Sequence, residues 1–122
     1  MLEGTNDILG GHQATADQVI AGFEQLISRV HAEHIRVLGG TITPCSCYSP
    51  EREQVRETVN EWIRNSGAFD GVVDFDAALR DPNNPHEMSD AFHDPGEELH
   101  PNAAGYRAMA DAVPLRLLAP GS

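Results

Sequence analysis

Apolar side chains return at three- and four-residue spacing through Ala16, Val19, Ile20, Phe23, Leu26, Ile27 and Val30, which predicts an amphipathic helix over about residues 16–33. Thr15-Ala16-Asp17-Gln18 has the capping-box pattern that would start it. The run Ile35-Arg36-Val37-Leu38-Gly39-Gly40-Thr41-Ile42 is short, apolar and partly β-branched, and Thr43-Pro44 stops it, so it reads as a buried strand. Ser49 as N-cap and Pro50 at the first helical position open a second helix. Val55, Val59, Trp62 and Ile63 form its apolar face, and Gly67 is its stop. Gly71-Val72-Val73-Asp74-Phe75 reads as a second buried strand. The stretch from Asp81 to Gly96, rich in Pro, Asn and Asp, reads as a loop, and a last helix starts at Pro101. This alternation of helices and strands predicts an α/β layer fold with a parallel sheet and helices on both faces. Met1-Leu2-Glu3-Gly4-Thr5-Asn6-Asp7-Ile8 looks like the end of a strand entering a polar turn. Ligands bind beyond the carboxyl ends of parallel strands, so Gly4, Asn6 and the loop before His100 are expected to face one crevice.

Composition narrows the partners. With 122 residues the chain is expected to form one domain, and its 40% hydrophobic and 22% charged content is ordinary for a globular protein. Eight basic against nineteen acidic residues give a net charge of −11, which disfavours nucleic acid and anionic membrane surfaces as partners. No apolar run approaches the roughly 20 residues of a membrane helix, and Met1-Leu2-Glu3-Gly4 has no signal-peptide character; any signal would precede Met1. Cys45 and Cys47 read as two small thiols near a strand end rather than as a zinc site. His12, His31, His34, His86 and His93 are scattered and assemble no metal-ligand pattern.

The chemistry concentrates in Glu97-Glu98-Leu99-His100-Pro101-Asn102. An acid three residues before a histidine can accept the Nδ1 hydrogen, fix the tautomer and leave Nε2 to take a proton from a nucleophile. The same residues also suit the N-terminus of a helix with no catalytic role. Asn6, whose side-chain amide suits an oxyanion, equally suits a local Asx turn.

Together these segments resemble the SGNH hydrolases, also called GDSL-type esterases and lipases. Gly4-Thr5-Asn6-Asp7 is similar to that family's Gly-x-Asn-Asp block, and Glu97 to His100 is similar to its Asp-x-x-His block. The stretch Gly67 to Pro82 and the helix from Ala103 to Ala110 resemble the segments that accompany the second block, so the likeness covers nearly the whole chain. It implies a three-layer α/β/α, flavodoxin-like fold with a parallel sheet whose N-terminal strands are missing, residues 1–122 being the C-terminal portion of a single esterase domain. It further implies His100 as base, Glu97 as its acid and Asn6 as an oxyanion donor, with no metal or cofactor. Glu97 departs from the family's Asp. One further methylene displaces a carboxylate by about 1.5 Å, enough to matter in a triad, so either the Pro95-Gly96 turn absorbs the shift or Asp94 is the acid.

The family's Gly-Asp-Ser block is absent from the sequence, as is its second block, and no nucleophile is assigned among Ser28, Ser46, Ser49, Ser66, Ser89 and Ser122. The resemblance therefore implies a serine esterase for acyl or acetyl esters of small molecules or carbohydrates, inactive as this chain alone. The alternatives are a non-catalytic remnant acting as a partner-binding module, and half of a split esterase completed by another chain. Self-association is expected if the sheet is left with an open edge.

Overall fold

The computed structural model describes residues 1–119. Its elements run α1 (Thr5–Leu9), α2 (Ala16–Ala32), β1 (Leu38–Gly40), α3 (Pro50–Asn65), β2 (Gly71–Val73), α4 (Phe75–Leu79), a 3-10 turn (Asp90–Phe92), α5 (Ala103–Asp111) and a second 3-10 turn (Leu115–Leu118). β1 and β2 pair in parallel, as the alternation of elements predicts. The chain divides into two compact units, one of Met1–Ile42 with Tyr48–Val72, the other of Thr43–Cys47 with the residues from Val73 on.

In the first unit α3 packs against α1 and α2. The capping box forms as expected, with the Thr15 hydroxyl accepting from Gln18 N and the Gln18 side chain accepting from Thr15 N. Val19, Phe23 and Ile27 are the buried stripe of α2, whereas Leu26, expected on the same face, is 44% exposed. Phe23, Trp62 and Phe69 form an aromatic cluster, with Phe23 stacked on Trp62 and both meeting Phe69 edge-on. Met1 lies in parallel register with Gly39: its amino group donates to Leu38 O and its carbonyl accepts from Gly40 N. The strand-like reading of the first residues holds there, but Thr5 to Leu9, read as a polar turn, are helical.

β1 is shorter than the expected 35–42 run because side chains take over the ladder's work at both ends. At its start the Asp70 carboxylate accepts from Val37 N at 2.7 Å and Asp70 N donates to Val37 O. Beyond its end the Asn60 side chain accepts from Ile42 N at 2.7 Å and donates to Ile42 O at 2.9 Å. Arg56 adds a bond from Nη1 to Ile42 O at 2.9 Å while its Nε is held by Glu53 at 2.8 Å. Glu53, Arg56 and Asn60 are all buried, so α3 carries a polar stripe beside its apolar one, which its hydrophobic spacing alone did not reveal. The second strand also ends early: Asp74 caps α4 by accepting from Ala77 N, which turns Phe75 from an expected strand residue into a helical one.

In the second unit α5 packs against α4 and the 3-10 turn at Asp90–Phe92. That turn and isolated bridges at Arg80–Met88 and Asp94–Glu97 order a segment read from sequence as a plain loop. α5 begins at Ala103 rather than Pro101, because Asn102 is the N-cap. Gly105 must be glycine: a Cβ there would lie 2.6 Å from Phe92 O and 2.7 Å from Pro101 Cβ, so its absence lets α5 close on the preceding turn. Cys45 and Cys47, read as separate thiols, are joined in a disulfide across one residue.

Candidate active site

The turn Asp94-Pro95-Gly96-Glu97 delivers the acid. Glu97 N donates to Asp94 O at 2.9 Å, and Gly96 sits at φ +82°, a left-handed conformation that favours glycine. From the end of this turn, one carboxylate oxygen of Glu97 accepts both from His100 N at 3.1 Å and from the imidazole Nδ1 at 2.9 Å. Of the two acids that the spacing leaves open, the structure brings Glu97 and not Asp94 to the ring; Asp94 contributes its carbonyl, to Glu97 N and to His93 Nδ1.

Two bonds from one histidine have a visible electrostatic consequence. The imidazole and then the backbone N–H of His100 hold the Glu97 carboxyl below the ordinary glutamate range. An ionised Glu97 on Nδ1–H makes Nε2 the basic nitrogen. The pair is open, with the His100 side chain 66% and the Glu97 side chain 53% exposed, so Nε2 is accessible to a proton donor.

The histidine is anchored from its C-terminal side by Asn102. Its Oδ1 accepts from Ala104 N at 2.9 Å and Gly105 N at 3.0 Å, while its own N–H donates to Phe92 O at 2.7 Å. Cap and close approach together fix where α5 starts, two residues beyond His100.

Asn6 belongs to the first unit. It is exposed on α1, with its carbonyl accepting from Gly10 N at 2.7 Å. Gly4, Asp7 and Phe23 line a cavity of about 570 Å³ in the same unit. Of the serines, Ser46 donates its hydroxyl to Glu98 Oε2 at 2.6 Å and Ser49 is the N-cap of α3, while Ser122 lies outside the described residues. The Ser46–Glu98 contact escapes sequence reasoning because 52 residues separate the partners.

The chain matches the model of the GDSL-like Lipase/Acylhydrolase family over residues 1–108. Among solved structures it is similar to a GDSL-like lipase from Bacteroides thetaiotaomicron, with 17% identity and a TM-score of 0.79 over 96% of this chain and 60% of that one. It is also similar to a carbohydrate esterase of family 3 from Talaromyces cellulolyticus, with 24% identity and a TM-score of 0.66 over 96% of this chain and 55% of that one. At these identities the likeness is one of fold, the α/β fold expected from the sequence. The chain thus spans 60% and 55% of the length of the two solved structures. No curated protein sequence matches it.

Proposed function

The chain belongs to the GDSL-like lipase/acylhydrolase family, and from that premise we propose that it carries the acid–base half of a serine ester hydrolase. The observation that carries this reading is the Glu97–His100 pair, one carboxylate oxygen bonded to both Nδ1 and the backbone N–H of the same histidine. In the proposed reaction a serine hydroxyl attacks the acyl carbonyl of a carboxylic ester, and His100 Nε2 takes the hydroxyl proton as the new C–O bond forms. For Asn6 the role of oxyanion donor rests on the family resemblance of Gly4-Thr5-Asn6-Asp7 alone. Collapse of the tetrahedral adduct expels the alcohol with the proton from His100, and water repeats the sequence on the acyl-enzyme. Glu97 stays ionised throughout and stabilises the imidazolium.

The nucleophile is the part these residues do not carry. The sequence holds no Gly-Asp-Ser, and Ser46, the first serine after β1, donates its hydroxyl to Glu98 instead of to an imidazole. On this reading the nucleophile is supplied by a polypeptide segment other than these 122 residues, either joined to them or carried by a complementing chain. The substrate class of this reading is acyl or acetyl esters of small molecules or carbohydrates; of the two similar structures, one is named a GDSL-like lipase and the other a carbohydrate esterase.

The test has two arms. The chain alone, treated with a fluorophosphonate probe and assayed on p-nitrophenyl acetate, should show neither a serine adduct nor turnover; covalent labelling of a serine would overturn the missing-nucleophile reading. Joined to the N-terminal part of the Bacteroides lipase it should hydrolyse the ester, and H100A should then lower kcat on the order of 10⁶-fold. A folded but inactive fusion, or one indifferent to H100A, would overturn the acid–base reading.

A further inference from the structure

Next to the acid–base pair lies an acid that the proposed reaction does not use. Glu98 follows Glu97 in the chain, and its Oε2 accepts the Ser46 hydroxyl at 2.6 Å, a length that marks a charge-assisted bond. Ser46 sits at the centre of the Cys45–Cys47 disulfide ring, where the two Cα atoms are 5.1 Å apart and Cys47 N donates to Cys45 Sγ at 3.1 Å. Cys45 is buried at 2% exposure while Ser46 is exposed, so the ring is rooted in the second unit's interior and presents one hydroxyl outward.

The ring matters because an exposed serine–carboxylate contact is ordinarily weak: the entropy of fixing both partners offsets most of the gain. Here one partner is already fixed. A ring closed across a single residue removes most of the backbone freedom of Ser46, so only the Glu98 side chain loses motion on bonding. Glu98 follows directly on the Asp94–Glu97 turn, so a restraint on its side chain is passed to that turn through one residue of backbone. Met88 and His93 line a small recess of about 200 Å³ together with Ser46 and Glu98, which places this clamp on the face that bears the 94–98 turn.

We infer that Ser46, presented by the Cys45–Cys47 ring, is a positioning residue: through Glu98 it holds the 94–98 turn so that the Glu97 carboxylate meets His100 Nδ1. The inference rests on the reading of Glu97 and His100 as an acid–base pair. It makes the clamp sensitive to reduction: a dithiol reagent opens the S–S bond to two thiols while its own thiols close into a disulfide, and Ser46 is then presented by a flexible loop.

Isotope-labelled full-length chain tests this without any need for turnover. Ring nitrogen shifts report the His100 tautomer, and the side-chain carboxyl carbon of Glu97 reports its titration. In the unaltered protein Nδ1–H should predominate in neutral His100, and Glu97 should titrate below an ordinary glutamate. S46A and E98A should each lose the Nδ1–H preference and move the Glu97 titration up toward the ordinary range. The double variant should do no more than either alone. S46T, which keeps the hydroxyl, should behave as the parent, and reduction of the parent should reproduce S46A. Amide spectra confirm that each variant stays folded. E97Q separates the two ideas. If E97Q abolishes the tautomer preference and S46A leaves both readouts unchanged, the clamp is wrong and the acid–base pair stands. If E97Q too leaves the tautomer unchanged, the pair itself is wrong, and the clamp falls with it.

Discussion

At Asp70 a single carboxylate oxygen accepts from Val37 N at 2.7 Å and from His31 Nε2 at 2.9 Å. It thus ties the end of α2 to the start of β1. The Val37 N–H first, and His31 second, hold the Asp70 carboxyl below the ordinary aspartate range. A carboxyl depressed on folding stabilises the folded state above its unfolded pKa of about 3.9, and that stabilisation disappears as pH falls through the folded value. D70N keeps a polar oxygen but loses the charge, so it should melt below the parent at pH 7, and the gap should narrow as the pH is lowered into the acid range where the parent's carboxyl protonates. Thermal melts over a descending pH series check this; a gap that does not change with pH would mean that the charge contributes nothing. Glu97 and Asp70 differ in how far they could be read beforehand. The Glu97–His100 pair is local, three residues apart on one turn, and such spacing is visible in a sequence. Asp70 reaches His31 across 39 residues and Ser46 reaches Glu98 across 52, and no local pattern encodes either meeting. The spacing of three residues favours Glu97 over Asp94, and Glu97 is the carboxylate that meets the ring.

Helices were legible where their ends are marked by local chemistry. Thr15 and Gln18 fix the start of α2, and Ser49 and Pro50 fix the start of α3, since caps act within three residues. Strands were less so, because hydrophobic runs show which residues prefer burial but not where the ladder is replaced by side chains. Asn60 is the clearest instance. It is 1% exposed on α3, and its amide accepts from Ile42 N and donates to Ile42 O, ending the strand path that Ile35 to Ile42 would otherwise continue. The carbonyl keeps Arg56 as a second donor, so the group at risk is the Ile42 N–H. N60L would leave that buried N–H with no acceptor and should cost about 1–3 kcal/mol, the desolvation penalty of an unmade bond. Urea unfolding should show it as a lower midpoint at unchanged m-value; a variant as stable as the parent would mean that the apolar contacts of leucine offset the lost bonds.

Over the whole molecule, charge and exposed apolar surface pull in opposite directions. The net charge of −11 and pI near 4.7 make copies of the chain repel one another at neutral pH. Against this stand large apolar side chains left in solvent: Leu26 at 44%, Leu115 at 80% and Leu118 at 61% exposure. Single exposed leucines are ordinary, but several on a chain of 122 residues offer burial to a second copy once repulsion is screened. We therefore expect self-association to be gated by charge. The screening length falls from roughly 20 Å at about 0.02 M salt to about 4 Å at about 0.5 M, which removes most of the repulsion between copies while leaving apolar attraction intact. Sedimentation equilibrium at pH 8 should give a mass near the 13.2 kDa of one chain at low salt and a larger one at high salt. The same rise should appear at low salt as pH approaches the pI, where repulsion vanishes by titration instead of screening. Agreement of the two routes would identify charge as the gate. A mass that stays at one chain along both would show that these leucines are too dispersed to make a common surface, and a mass already raised at low salt and pH 8 would show that repulsion is not what limits association.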